Sequence, residues 1–198
     1  MQDVIKHYDM LIEEDNDPVR DPEPLKSYMD GWDGQTFICE MDLNKSKTVL
    51  EIGVGTGRLA ERVAPFCARL YGIDVSPKTV ERARENLKKH GNVSLILGDF
   101  MTSPFSERFD VIYSSLTFMH IKDKRGAIKK AADILNENGL FVLSTEKEQR
   151  SVLDMGCRRI TLYPDDVDET EGFMKEAGLL VIKRVETPFA FITVGKKV

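Results

Sequence analysis

The sequence predicts an α/β protein with a doubly wound, mainly parallel sheet, and three observations carry this prediction. From Thr48 onward, short apolar runs typical of strands alternate with amphipathic runs typical of helices, which is the pattern of βαβ units. The first strand leads into glycines at alternate positions, Gly53, Gly55 and Gly57. The last two strand-like runs are separated only by Thr187-Pro188, which is too short for a parallel crossover, so we expect them to pair as an antiparallel hairpin.

The elements follow one another in a regular order after residue 48. We expect strands at 49–52, 70–75, 93–97, 109–115 and 140–144, and then a helix at 169–177 and hairpin strands at 179–186 and 189–195. One intervening helix covers 58–66 and stops near Pro65. Another has Ser76 as its N-cap and ends at Gly91, and a third ends at Asn138-Gly139.

The first 47 residues have a different composition. Two stretches rich in Asp and Pro, at 15–18 and 21–24, exclude core strands, and helices are expected at 4–14 and 34–43. We therefore divide the chain into an N-terminal cap or lid at 1–47 and an α/β domain at 48–198. The alternative for 1–47 is an arm that merely packs on the surface of that domain.

Composition narrows the classes of protein further. The chain of 198 residues has 28 basic and 33 acidic residues and a net charge of -5, which weighs against a nucleic-acid-binding protein. Three cysteines lie far apart without a CxxC pair, which favours a reduced, cytoplasmic environment, and no residue is assigned to a metal. The N-terminus lacks the apolar stretch of a signal peptide, and all apolar runs are far shorter than the ~20 residues of a membrane span.

The glycine-rich segment after the first strand is the strongest functional signal. Glycines let the backbone approach a ligand closely, and the following helix directs its amides toward a negatively charged group such as a carboxylate. The dinucleotide pattern GxGxxG would place its third glycine at position 58, where this chain has Arg58. The alternative interpretation of the segment is a tight turn between a strand and a helix.

Two acidic residues at later strand ends support a nucleoside ligand. Asp74 lies 74 − 53 = 21 positions after Gly53, at the end of the second strand, where a carboxylate can accept both hydroxyls of a ribose. The alternative role of Asp74 is to cap the next helix. The pair Asp99-Phe100 follows the third strand and could hold an adenine by its amino group and one ring face.

Together these features resemble the class I S-adenosylmethionine-dependent methyltransferases, and more specifically their small-molecule branch. The resemblance covers about residues 48–198 and rests on the segments 51–57, 98–100, 109–112 and 135–140, on Asp74 and on the terminal hairpin. It implies a Rossmann-like sheet of seven strands in the order 3-2-1-4-5-7-6, with only strand 7 antiparallel. It also implies S-adenosyl-L-methionine as cofactor and S-adenosyl-L-homocysteine as product.

The resemblance assigns cofactor-binding roles residue by residue. The amino-acid part of the cofactor is expected near Gly53, Gly55, Gly57, Glu51 and the carbonyl of Ser114, the ribose at Asp74 with Val75 beside it, and the adenine at Asp99 and Phe100. The segment 114–120 lacks the Asn/Asp-Pro-Pro-aromatic motif of enzymes that methylate DNA or glutamine, so we expect a small-molecule acceptor.

Candidate residues for catalysis and acceptor binding each have a structural alternative. His120 follows the fourth strand and could act as a general base, or it could simply pack at the head of the next helix. Aromatic residues that could wall an acceptor pocket, or instead anchor the N-terminal segment, are Tyr8, Tyr28 and Trp32. Arg158 and Arg159 could meet an anionic substrate or could be a solvated basic pair.

The sequence therefore predicts methyl transfer to a small molecule by in-line displacement. Two other functions stay open at this point. The first is a regulatory protein that binds S-adenosylmethionine or S-adenosylhomocysteine without turnover. The second is a nicotinamide-dependent oxidoreductase, against which Arg58 and the terminal hairpin argue.

Overall fold

The centre of the protein is one seven-stranded sheet. The computed structural model describes residues 1–156 and 158–198. The strands are β1 (Thr48–Ile52), β2 (Arg69–Asp74), β3 (Val93–Leu97), β4 (Phe109–Ser114), β5 (Leu135–Glu146), β6 (Val152–Asp154), β7 (Arg159–Thr161), β8 (Leu179–Glu186) and β9 (Ala190–Lys197). The large sheet has the order β3-β2-β1-β4-β5-β9-β8, and β9 is antiparallel to both of its neighbours. The predicted strand order and the single antiparallel strand are thus confirmed.

Helices cover the sheet and build the N-terminal segment. They are α1 (Gln2–Glu13), α2 (Glu23–Asp33), α3 (Gln35–Cys39), α4 (Arg58–Val63), α5 (Pro77–Leu87), α6 (Lys124–Ile134) and α7 (Val167–Glu176), with 3₁₀ turns at Ala64–Phe66 and Phe118–His120. Ser76 caps α5 as expected, since its hydroxyl accepts a hydrogen bond from the amide of Thr79 at 3.1 Å. Pro77 then occupies the first helical position.

Hydrophobic packing on both faces of the sheet makes the fold doubly wound. Neighbouring strand residues point to opposite faces, so Val49 and Leu50 belong to different core clusters. The cluster that contains Val49 includes side chains of α3, α4 and α5, whereas the cluster that contains Leu50 includes side chains of α6 and α7. The strands β1 to β5 of this sheet run parallel to one another, which positions their carboxyl ends at one shared edge.

The structure corrects the expected end of the helix before β5. The helix was expected to end at Asn138-Gly139, but α6 ends at Ile134, and Leu135 already pairs with Phe109 of β4. Asn138 has a φ of +62°, and the pairing of β5 with β4 shifts register at this point. An Asn-Gly pair suits a left-handed backbone in an irregular strand as well as at a helix end, so the sequence signal was misassigned.

Two elements were not expected from the sequence. The proline-rich stretch at 21–24 begins α2, with Pro22 as the N-cap residue, because prolines are tolerated in the first turn of a helix. A short antiparallel hairpin of β6 and β7 lies between β5 and α7. None of the helices in the described residues has the length and apolarity that crossing a membrane requires.

Candidate active site

A cavity of about 320 Å³ lies where β1, β2 and β4 end. Ligands of open α/β sheets bind at this edge, outside the carboxyl ends of the strands. Residues of the N-terminal segment close it from the other side, among them Val4, Tyr8 and Met29. The complete lining consists of Met1, Val4, Tyr8, Pro18, Met29, residues 51–56, Arg58, Leu59, residues 73–75, residues 98–100, residues 115–117, His120 and Ile121.

The glycine loop brings bare backbone to this cavity. Gly53 and Gly55 have φ values of +77° and +56°, a left-handed conformation that residues with a side chain rarely adopt. A Cβ atom on Gly53 would lie 2.0 Å from Oγ1 of Thr117, so this position has no room for a side chain. A Cβ atom on Gly55 would meet nothing within 4 Å, which leaves open space beside the loop for a ligand.

Asp74 links the glycine loop to the second strand. One of its carboxylate oxygens accepts a hydrogen bond from the amide of Gly55 and the other from the amide of Ser76, both at 3.0 Å. Burial raises the pKa of Asp74, and these backbone hydrogen bonds oppose that shift. The carboxylate oxygens retain lone pairs for further donors, such as the hydroxyls of a ribose.

The end of β3 contributes one polar and one apolar group. Asp99 accepts a hydrogen bond from the amide of Met101 at 2.8 Å, which fixes its carboxylate at the start of the turn. Phe100 is buried, and its ring lies 5.8 Å from that of Phe105. Both Asp99 and Phe100 line the cavity.

Glu51 lies buried at the base of the cavity. It is the register partner of Tyr113 in β4, and the hydroxyl of Tyr113 donates a hydrogen bond to Oε2 of Glu51 at 2.8 Å. Burial raises the pKa of Glu51 to about 8, against the lowering effects of this hydrogen bond and of the positive charge of Arg58. Glu51 is therefore mainly protonated at pH 7 in the unliganded protein.

A buried ion pair that the sequence analysis missed joins the N-terminal segment to the cavity. Nη2 of Arg58 lies 2.5 Å from Oδ2 of Asp33, and the hydroxyl of Ser115 donates to the same oxygen at 2.6 Å. Asp33 is the last residue of α2 and is fully buried. No local sequence pattern predicts this ion pair, because its two residues are 25 positions apart and the helix α2, which ends at Asp33, was not predicted.

A second missed pair holds the turn that carries His120. Lys124 belongs to a stretch rich in basic residues at 122–130, yet it is buried and forms an ion pair with Asp165. Its amino group also donates to the carbonyls of Phe118 and Ile121, at 2.8 and 3.2 Å. These contacts fix the turn at Phe118–His120 against α6.

His120 faces the N-terminal segment across the cavity. The hydroxyl of Tyr8 and Nε2 of His120 are 2.8 Å apart. Burial lowers the pKa of His120 to about 4, and the charges of His7 and Lys124 act in the same direction. Nδ1 of His120 is buried and has no hydrogen-bond partner among the described residues. The imidazole is thus neutral at pH 7.

The structure brings most of the predicted site residues together at the cavity, and some lie elsewhere. The residues from the prediction that line it are Tyr8, Glu51, Gly53, Gly55, Asp74, Val75, Asp99, Phe100 and His120. Gly57 lies against Leu87. The hydroxyl of Ser114 donates to the carbonyl of Ile52 at 2.8 Å, below the cavity floor.

The remaining candidates for acceptor binding lie outside this lining. The rings of Trp32 and Tyr28 pack at a tilt against that of Phe189, with centroids 4.5 and 5.2 Å apart, and the indole of Trp32 donates a hydrogen bond to Glu146. This contact corresponds to the alternative of anchoring the N-terminal segment. Arg158 forms an ion pair with Glu14 at 2.7 Å, and Arg159 is exposed in β7.

Comparison with known proteins agrees with this geometry. Residues 50–143 match a family model described as a methyltransferase domain. An uncharacterized methyltransferase of Anoxybacillus flavithermus is 37% identical over 123 residues, which cover 60% of this chain and 57% of that protein. Nodulation protein S of Sinorhizobium fredii is 29% identical over 113 residues, which cover 56% of this chain and 50% of that protein. The matches thus span about half the length of these curated relatives.

A solved structure shows the same architecture. The N-methyltransferase NodS from Bradyrhizobium japonicum WM9, in complex with S-adenosyl-L-homocysteine, superimposes with a TM-score of 0.66 and 23% sequence identity. The match covers 82% of this chain and 84% of NodS. The sheet order is that of the Rossmann-like methyltransferase fold, and residues 50–143 match the methyltransferase-domain model.

Proposed function

We propose that this protein binds S-adenosylmethionine and transfers its methyl group to a small-molecule acceptor. The observation that carries the proposal is that one cavity gathers the glycine loop, two strand-end carboxylates and the Tyr8–His120 pair at the carboxyl edge of the sheet. The NodS structure, which contains S-adenosyl-L-homocysteine in the same fold, supports the choice of cofactor.

The residues at the cavity fit this cofactor chemically. Asp74 offers acceptors for the hydroxyls of a ribose, Asp99 an acceptor for the amino group of adenine, and Phe100 an apolar surface for the ring. Glu51 offers a carboxyl group for an ammonium. The bare backbone at Gly53 and Gly55 leaves room for the amino-acid end. The bound cofactor would supply an activated methyl group on a sulfonium.

The rest of the lining favours a compact and largely uncharged acceptor. Val4, Met29, Leu116 and Ile121 supply apolar surface. The polar Tyr8–His120 pair lies among them and can orient a hydroxyl or an amine. A cavity of this size with a mainly apolar lining suits a small molecule, which supports a small acceptor.

The main contribution of the protein to this reaction is to orient the nucleophile of the acceptor toward the methyl group of the cofactor. The cavity, covered on one side by the N-terminal segment, would hold the nucleophile of the acceptor in line, which can supply most of the rate enhancement. Nδ1 of His120 is buried and has no hydrogen-bond partner among the described residues, so we place the hydrogen bond to the acceptor there. A low pKa makes His120 a weak base, and its main role is then to orient the acceptor.

The N-terminal segment at 1–47 acts in this proposal as the cap of the site. Its helix α1 contributes Val4 and Tyr8 to the lining, and its helix α2 contributes Met29. Asp17 receives hydrogen bonds from Asn86 of α5 at 3.0 and 3.2 Å, which fastens the connection between α1 and α2 to the domain. Closure by such a segment excludes water from the transferred group.

Two measurements test the proposal. Calorimetric titration with S-adenosyl-L-homocysteine should show binding, and a panel of metabolites with radiolabelled S-adenosyl-L-methionine should identify a methyl acceptor. The variant His120→Ala should bind S-adenosyl-L-homocysteine normally but slow the transfer by roughly 10²-fold, because the acceptor is no longer held in line. Binding without transfer to any compound would favour the regulatory alternative, and binding of a nicotinamide dinucleotide instead would contradict the proposal.

A further inference from the structure

The buried Arg58–Asp33 pair leaves hydrogen-bonding capacity unused. Nη2 of Arg58 and Oδ2 of Asp33 contact each other, but Nη1 of Arg58 and Oδ1 of Asp33 have no hydrogen-bond partner among the described residues. The side chains are 15% and 0% exposed. Unsatisfied polar atoms at such depth are costly, so a buried guanidinium with an unused nitrogen indicates a missing acceptor.

The position of Arg58 indicates where that acceptor comes from. Arg58 follows the glycine loop directly and lines the cavity, whereas Asp33 does not. Asp33 holds the guanidinium from the side of α2, and Ser115, in the loop after β4, donates to the same oxygen of Asp33 and so fixes that carboxylate. A ligand in the cavity can therefore approach Arg58 but not Asp33.

We infer that Arg58 binds the carboxylate of the amino-acid end of the cofactor, and that Asp33 and Ser115 are its positioning residues. This inference rests on the proposed function. A carboxylate is the anionic group of S-adenosylmethionine, and the planar donors of arginine match its two oxygens. Asp33 already balances one charge of the pair, so a zwitterionic amino-acid end adds no net charge to the buried site.

The cavity also offers a group of opposite charge for the ammonium of the amino-acid end. Glu51 also lines the cavity and interacts electrostatically with Arg58. An ammonium near Glu51 and a carboxylate near Arg58 would each meet a group of opposite charge. The N-terminal segment, which lies outside the matched residues 50–143, would then complete the cofactor site through α2.

The test compares two ligands that differ only in the carboxylate. Calorimetry would measure the affinity of the wild type and of Arg58→Gln for S-adenosyl-L-homocysteine and for its decarboxylated analogue, S-adenosyl-3-thiopropylamine. The variant should lose roughly 10- to 100-fold in affinity for S-adenosyl-L-homocysteine, as expected for a lost hydrogen bond to a charged group. Its affinity for the decarboxylated analogue should stay nearly unchanged.

Matched variants separate this role from a structural one. Asp33→Asn keeps the volume of the side chain but removes its charge. It should lower the affinity for S-adenosyl-L-homocysteine but not that for the decarboxylated analogue, and the loss should be smaller than in Arg58→Gln. The double variant Arg58→Gln/Asp33→Asn avoids a lone buried charge, so it keeps the test valid if Arg58→Gln alone fails to fold.

Two results would overturn the inference. Equal loss of affinity for both ligands would show that Arg58 only shapes the pocket, and the proposed function would still stand. A wild type that binds neither ligand would remove the proposed function and this inference together.

Discussion

The hydroxyl of Tyr8 lies 2.8 Å from Nε2 of His120, although the two residues are 112 positions apart. Their rings meet edge to face with centroids 5.5 Å apart. Burial raises the pKa of Tyr8, so the phenol keeps its proton and can donate a hydrogen bond to the neutral imidazole. This contact joins α1 to the turn after β4 at the cavity.

The low pKa of His120 predicts a loss of stability in mild acid. The unfolded chain binds a proton at this histidine near pH 6.5, whereas the folded protein does so only near pH 4. Stability contributed by His120 is therefore present above pH 6.5 and falls between pH 6.5 and 4, by up to about 1.4 kcal/mol per pH unit. Urea unfolding at pH 7 and pH 5 should show a smaller acid effect for His120→Gln than for the wild type. Identical acid effects would contradict a buried, neutral His120.

The raised pKa of Glu51 predicts that cofactor binding releases a proton. Glu51 is mainly protonated at pH 7 because its pKa is about 8, but an ammonium beside it would favour the carboxylate. The affinity for S-adenosyl-L-homocysteine should therefore rise between pH 6 and 8. Calorimetry at pH 7 in two buffers of different ionisation enthalpy measures the released proton. The control Glu51→Gln should abolish the release, and an unchanged release in that variant would exclude Glu51 as the source.

Asp74 should contribute to cofactor affinity through hydrogen bonds to a ribose. Asp74→Ala should cost on the order of 1.5–3 kcal/mol in binding of S-adenosyl-L-homocysteine, the value of hydrogen bonds to a charged group. Because Asp74 also accepts hydrogen bonds from the amides of Gly55 and Ser76, Asp74→Asn serves as a control that keeps one acceptor oxygen. Calorimetry with both variants, alongside their thermal unfolding, checks this. Unchanged affinity in folded Asp74→Ala would remove Asp74 from the site.

Local sequence signals predicted the parts of this protein that depend on neighbours along the chain. The strand before Gly53, the Ser76 cap and the final hairpin each have a pattern within a few residues, and the topology then brought Asp74 to the same edge as the glycine loop. The strand order was implied by the resemblance to the class I methyltransferases, and the structure confirms it.

Contacts between distant segments were not predictable in this way. The pairs Arg58–Asp33 and Lys124–Asp165 depend on where α2 and the segment before α7 pack, and a charged residue in a polar run is usually solvated. Trp32 is a further example of a contact that local sequence does not predict. Its ring packs against Phe189 in the turn between β8 and β9, which is far from Trp32 in the sequence.

If the segment 1–47 is a cap, ligand binding should increase the protection of its amides against hydrogen exchange. Amides of α1 and α2 should exchange more slowly in the presence of S-adenosyl-L-homocysteine, because a bound ligand adds contacts to the residues that close the cavity. Hydrogen exchange over residues 4–35, with and without the ligand, measures this. Amides of residues 141–145 in β5 provide the internal reference, since these residues are buried and paired within the sheet. Strong and equal protection of 4–35 in both states would indicate a static arm.

The buried Lys124–Asp165 pair should be needed as a pair. Lys124→Met would leave Asp165 buried without its cation, and loss of one partner of a buried ion pair typically costs about 3–5 kcal/mol. The double variant Lys124→Met/Asp165→Leu replaces both charges with apolar groups and should recover more than half of that loss. Recovery should be incomplete, because the carbonyls of Phe118 and Ile121 also lose a donor. Urea unfolding of the wild type, both single variants and the double variant gives the coupling energy. Additive losses would show that Lys124 stabilises the turn through the carbonyls alone, with no contribution from Asp165.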